Sequence, residues 1–177
     1  MEKTKTHRNV YHCPFLDVYE DEAILQDGQI GKRVYIDHPG GAAALAITED
    51  DQVILVNQYR YPIKQMSLEI PGGKKDFKGE LGVACIQREL EEETGYKATI
   101  LEPLILVHNC VGYSNEIIEI FVAKQCTKME NPKSADADEW IEVGLYDKKA
   151  IKKLMEDKKI TDSKTIIALQ AFLSNQF

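Results

Sequence analysis

The sequence predicts an α+β sandwich. Three observations carry that prediction: the first third alternates apolar and polar residues in short runs broken by turn signals, one stretch of helical period stands between strand-like segments, and two helix patterns close the chain. Strands and helices mixed in this way lack the regular βαβ alternation of a doubly wound fold.

Val10 to Tyr19, Gly31 to Asp37, Ala42 to Thr48 and Gln52 to Asn57 read as strands. Turn residues separate them at Gln26-Asp27-Gly28, Pro39-Gly40-Gly41 and Glu49-Asp50-Asp51, so hairpins dominate this part. From Glu80 to Thr94 the period becomes helical, with Val83, Ile86 and Leu90 on one side and carboxylates on the adjoining side. Gly95 is placed to end that helix in the left-handed region. Ile100 to His108 and Glu116 to Ala123 resume strand-like sequence, and a polar segment from Lys128 to Asp138 leads to a short strand around Trp140 to Val143. A helix is expected from about Asp147 to Asp157. The last begins near Asp162-Ser163, good N-cap chemistry, and turns Ile166, Leu169, Phe172 and Leu173 to the core.

With 177 residues and 44% of them apolar, the chain is of one-domain size, and no tandem repeat or Pro-, Gly- or Ser-rich linker divides it. The 22 Lys and Arg against 29 Asp and Glu give a formal charge of −7. That balance argues against nucleic acid and against a membrane surface, both of which are met by cations. A phosphate-bearing small molecule stays admissible because a metal ion can supply positive charge. Cys13, Cys85, Cys110 and Cys126 lie far apart with no CxxC pair, which fits reduced thiols in the cytoplasm better than structural zinc. The first ten residues are charged, without the apolar core of a secretory signal, and no apolar run is long enough to span a bilayer.

The chemistry concentrates between Pro71-Gly72-Gly73 and Tyr96. On a helix Glu89, Glu92 and Glu93 stand three and four residues apart, within an arc of about 100°. Like charges so close weaken a helix and raise one another's proton affinity, an arrangement that makes physical sense when divalent cations occupy the space between them. All nearby ligands are hard oxygens, so Mg²⁺ is expected, with Mn²⁺ as the alternative. Arg88 can neutralise and orient a carboxylate, Glu80 suits a helix N-terminus, and the glycines let the main chain bring a carbonyl close to a metal.

The composite pattern, from Glu80 through seven residues to Arg88-Glu89-Leu90, then Glu92-Glu93 and Gly95-Tyr96, resembles the box of the Nudix hydrolases in register. One spacing departs: six residues instead of five separate Gly73 from Glu80, which lengthens the loop before the helix. Gln58-Tyr59-Arg60-Tyr61-Pro62 and Leu68-Glu69-Ile70-Pro71-Gly72-Gly73 look like the ADP-ribose pyrophosphatase and nucleoside diphosphate sugar hydrolase branch.

The resemblance implies an α/β/α sandwich with a mixed sheet over residues 41–177, preceded by an N-terminal antiparallel β extension over residues 1–40 that helps form a homodimer. It implies metal ligation by Glu89, Glu93 and the Gly72 carbonyl, with Glu92 as a direct or water-mediated ligand, and orienting roles for Arg88 and Glu80. The general base belongs in the acidic stretch Asp136-Ala137-Asp138-Glu139; the aligned position is Ala137, which leaves Asp136, Asp138 or, with its longer reach, Glu139. Arg60 is the candidate diphosphate contact, Glu69 a nucleotide contact, and Tyr113 and Glu116 belong to a segment facing the distal sugar. Val111 stands where the branch carries proline, which makes other nucleoside diphosphate sugars as eligible as ADP-ribose. The implied activity is divalent-metal-dependent cleavage of such a diphosphate to a nucleoside monophosphate and a sugar phosphate. Hydrolysis of dinucleoside polyphosphates or NADH, and a non-catalytic ligand-binding module, are the competing readings.

Overall fold

The computed structural model describes residues 1–132 and 140–177. Its first sheet is built from β1 (Lys3–Thr6), β2 (Asn9–Cys13), β3 (Leu16–Ile24) and β4 (Ile30–Asp37). The nine-residue β3 is its axis: β4 pairs along one edge, while β1 and β2 share the other, all antiparallel. The single strand expected from Val10 to Tyr19 is therefore two, parted by a turn at Pro14-Phe15, because proline cannot donate to a ladder.

The second sheet contains β5 (Gly41–Thr48), β6 (Val53–Arg60), β7 (Gln65–Glu69), β8 (Gly72–Lys74), β9 (Tyr96–Lys97), β10 (Ile100–His108), β11 (Ile117–Lys128) and β12 (Ile141–Tyr146). Its main path runs β10-β11-β5-β6-β12, with β7 on β6, β8 on β5 and β9 on β11. The β11–β5 pairing is parallel and the others antiparallel, which gives the mixed sheet the resemblance implies. Pro103 sits at a register shift of the edge strand β10, where its missing N–H costs no ladder bond.

Among the described residues three α-helices cover the sheet: α1 (Gly82–Thr94), α2 (Lys148–Glu156) and α3 (Ser163–Ser174). The alternation along β5 sorts the two faces. Ala42, Ala44 and Ala46 pack with Cys85, Ile86 and Leu90 of α1, whereas Ala43, Leu45 and Ile47 pack with Ile151 of α2 and Ala168, Leu169 and Phe172 of α3. Alanine at 42, 44 and 46 on the first face lets α1 approach β5 closely, which sets the distance from helix to glycine loop. The sheet between two helical layers is the expected sandwich.

The two sheets meet through β4. Ile36 donates its N–H to the Tyr113 carbonyl at 2.8 Å and accepts from the Asn115 N–H at 3.2 Å. Lys78 of the loop before α1 reaches the Asp37 carboxylate at 3.1 Å.

Candidate active site

Helix α1 owes its orientation to a stripe of buried residues, Cys85, Ile86, Leu90, Glu93 and Thr94. Val83, expected in that stripe, is 41% exposed, and Cys85 takes its place. The helix is thus turned further round than its bulky residues suggest, because the sheet face it meets is made of alanines that accept a small sulfur side chain. Gly95 ends the helix as expected, at φ +71° with its N–H on the Glu91 carbonyl.

The chain from Glu69 to Gly72 is tied residue by residue to four different elements. Both Glu69 oxygens face cations, the Ile70 N–H donates to the Thr165 hydroxyl at 2.9 Å, the Pro71 carbonyl accepts from Ala44 N–H at 2.9 Å, and the Gly72 N–H donates to Glu93 Oε2 at 2.8 Å. Glycine is required next: a Cβ on Gly73 would lie 2.4 Å from the Glu89 carboxylate, and one on Gly72 would lie 2.5 Å from the Ala42 carbonyl. The Cys85 thiol donates to the Lys74 carbonyl at 3.4 Å. Burial pushes that thiol up to about 12, helped by the nearby charge of Glu89, so it holds the loop as a neutral donor.

Arg88 organises the carboxylates. Its Nη1 donates to Glu89 at 2.7 Å and reaches Glu92 at 3.5 Å, while Nη2 faces Asp76 at 3.3 Å and Glu80 at 3.7 Å. Burial works against its charge, but Glu89 and Asp76 outweigh that and raise its pKa, so it stays a cation. Glu80 lies before the helix and accepts the Asp76 N–H at 2.8 Å. The lengthened loop turns at Gly79, φ +99°, closed by the Glu80 N–H on the Phe77 carbonyl.

Glu89, Glu92, Glu93, Arg88, Gly72, Gly73, Lys74, Asp76, Gln58 and Arg60 line one cleft of about 390 Å³. The expected convergence of three carboxylates is corrected in one respect. Among the described residues no group of three or more acidic, His or Cys side chains closes to ligating distance. Arg88 draws Glu89, and the Gly72 amide draws Glu93, so the carboxylates share the cleft while facing separate partners. The donor set fits a hard divalent ion, since it is all oxygen, and the missing side chain at Gly73 keeps room beside Glu89.

Arg60 and Glu69, read separately in the sequence, are partners. Arg60 Nε and Nη2 donate to the two Glu69 oxygens at 2.9 and 2.8 Å, a two-pronged pair. Lys164 donates to Glu69 Oε2 at 2.5 Å. Burial opposes the charge of Glu69, but Arg60 and Lys164 outweigh it and draw its pKa down to about 2. At 3% exposed, Glu69 faces these cations. Lys164 was not singled out by its sequence context. The available signal was a lysine two residues after the N-cap Asp162, where the helix dipole disfavours a cation unless a carboxylate is near.

A second cleft of about 190 Å³ shares Arg60, Gly72, Gly73 and Lys74 with the first and adds Lys164, His38, Asn109 and Glu116. Glu116 accepts from Asn109 Nδ2 at 3.2 Å and has His38 Nδ1 at 3.4 Å. Tyr113 lines neither cleft; its ring is exposed, beside Cys110, and its carbonyl serves the junction with β4. Glu139, with Asp136, Ala137 and Asp138, lies outside the described residues.

Comparisons with known proteins agree with this construction. The chain is 35% identical over 169 residues, 96% of its length and 91% of the relative's, to the ADP-ribose pyrophosphatase of Bacillus subtilis (strain 168). It is 37% identical over the same shares to the methanol dehydrogenase activator of Bacillus methanolicus. The crystal structure of an ADP compounds hydrolase superposes with a TM-score of 0.79 at 21% identity, covering 99% of this chain and 92% of that one, a likeness of fold. The NUDIX domain model matches residues 37–167, a span that contains both clefts, and the chain belongs to the NUDIX domain family.

Proposed function

We propose that this protein is a divalent-metal-dependent pyrophosphohydrolase that cleaves ADP-ribose or related nucleoside diphosphate sugars to a nucleoside monophosphate and a sugar phosphate. One observation carries the reading: the glutamates of α1, the Gly72-Gly73 backbone and the fixed guanidinium of Arg60 line a single cleft large enough for a diphosphate. Similarity to the Bacillus subtilis ADP-ribose pyrophosphatase supports the substrate class.

Glu89, Glu92, Glu93 and the Gly72 carbonyl would hold the ion, Mg²⁺ first and Mn²⁺ second. When bound, such an ion neutralises diphosphate oxygens and acidifies water. Arg88 keeps Glu89 ionised and oriented, and Arg60 presents a cation to the diphosphate. On sequence grounds Glu139 accepts the proton from the attacking water, and Glu116 contacts the distal sugar. The homodimer and the cytoplasm complete the reading. Its support is the apolar side chains left exposed on the N-terminal sheet and its first turn, Val10, Tyr11, Phe15, Ile30 and Val34, and four cysteines without a disulfide.

Turnover of ADP-ribose, GDP-mannose, ADP-glucose, UDP-glucose, NADH and a diadenosine polyphosphate, each with Mg²⁺, Mn²⁺ and EDTA, tests the reading. Metal-dependent release of a nucleoside monophosphate from one or more of the diphosphate sugars is expected. Cleavage confined to NADH or the polyphosphate, or none at all, would overturn it.

A further inference from the structure

The Arg60–Glu69 pair does not stand alone. Lys164 Nζ lies 2.5 Å from Glu69 Oε2 and 3.0 Å from Asp162 Oδ2, so one ammonium bridges two carboxylates that would otherwise repel at close range. Asp162 is itself fixed, because it caps α3 through the Thr165 N–H at 2.9 Å and accepts the Thr165 hydroxyl at 2.6 Å. The same hydroxyl receives the Ile70 N–H. The first turn of α3 therefore brackets the end of β7, and the Glu69 carboxylate it fixes holds Arg60 by Nε and Nη2. Nη1 of Arg60 has no hydrogen-bond partner among the described residues, and Arg60 lines both clefts.

We propose that Lys164 is a positioning residue for substrate binding: by bridging Glu69 and Asp162 it fixes Glu69, and through Glu69 it aims the third nitrogen of Arg60 at the diphosphate. The role rests on the pyrophosphohydrolase reading. Lys164 adds no net cation to the cleft, since each of the two cations, Arg60 and Lys164, is balanced by Glu69 or Asp162. Its contribution is geometric, and it belongs to affinity more than to the chemical step.

The test uses the full-length protein and the variants Lys164→Ala, Lys164→Arg, Arg60→Ala and the Lys164→Ala/Arg60→Ala double variant. With ADP-ribose and Mg²⁺, Lys164→Ala is expected to raise KM about tenfold and leave kcat within about twofold, the size of losing a well-placed charged hydrogen bond. Lys164→Arg, whose fork can also span two carboxylates, should recover most of that loss. If Lys164 acts through Arg60, the double variant binds no worse than Arg60→Ala. A loss that adds to that of Arg60→Ala, or an unchanged KM, would overturn the role. A second readout needs no substrate: the Arg60 Nε–H proton resonance should be protected from exchange in the parent protein and in Lys164→Arg, and lose protection in Lys164→Ala. Equal protection in all three would overturn the proposal even if the parent protein cleaves nothing on the panel, an outcome that would count against the pyrophosphohydrolase reading instead.

Discussion

Glu93 illustrates how one side chain serves two ends. It is buried on α1 and accepts the Gly72 amide, so it positions the loop as well as facing the cleft. Glu93→Gln preserves the shape but removes the charge, and turnover should fall on the order of 100-fold or more with little change in circular dichroism. Gly73→Ala acts from the opposite wall: its Cβ would overlap the Glu89 carboxylate, and a fall in kcat of about tenfold or more is expected. Glu69 carries a pH signature. Its folded pKa of about 2 lies below the ordinary 4.5, so its ion pairs stabilise the fold fully above pH 4.5, and that contribution fades as the pH falls from 4.5 towards 2. The stability gap between the parent protein and Glu69→Gln in urea titrations should therefore be widest near neutrality and narrow across that acid window. Thiol counting gives a simpler check. Burial pushes Cys85 to about 12 and Cys126 to about 11, whereas Cys13 and Cys110 are partly exposed. An aromatic disulfide reagent at pH 8 should react promptly with the latter two and reach all four only after unfolding.

At the scale of elements, helix ends and long strands were legible where a single residue type decides the backbone. Gly95 stops α1, Asp147 and Asp162 cap α2 and α3 through their side chains, and β10 occupies the predicted span from Ile100 to His108. Gly95→Ala should cost about 1 kcal/mol and lower Tm by roughly 2 to 4 °C, since alanine must then adopt φ +71°. Illegible elements were those whose pairing partner is distant in sequence. In β7 the alternation misleads, because its polar residues Ser67 and Glu69 are the buried ones while Met66 is exposed, and β8 is two glycines and a lysine; both strands exist because β6 and β5 offer edges to them. The same reason hid Lys164 and the pairing of Arg60 with Glu69. Spacing along one helix revealed Glu89, Glu92 and Glu93, but nothing local joins Arg60 and Glu69 to Lys164, 95 residues beyond Glu69. Helical periodicity also misplaced Val83, because the alanine face of β5 rewards the small Cys85 and leaves the valine outside.

For the whole molecule, the acidic charge and the cleft chemistry agree: under the proposed function a protein of net charge −7 would meet a diphosphate through Arg60 and a divalent ion, not through a cationic surface. No helix among the described residues is long and apolar enough to cross a membrane. The N-terminal sheet touches the larger one mainly through β4, and its exposed apolar side chains are expected to be covered by a second copy. Sedimentation should give twice the 20.1 kDa chain mass, and Val34→Glu with Tyr11→Glu should shift it towards the monomer.

The parallel pairing of β5 with β11 also governs how the chain must come together. Ala43 meets Ile120 only after the helix α1, the glycine loop and β10 have been made, so the central strand waits with one edge unpaired while most of the polypeptide emerges. During synthesis that bare edge of alanine, leucine and isoleucine is a template for association with other nascent chains. Truncations ending before Ile117 should therefore aggregate, whereas those that retain β11 should stay dispersed: the strand that completes the catalytic sheet is also the one that shields it.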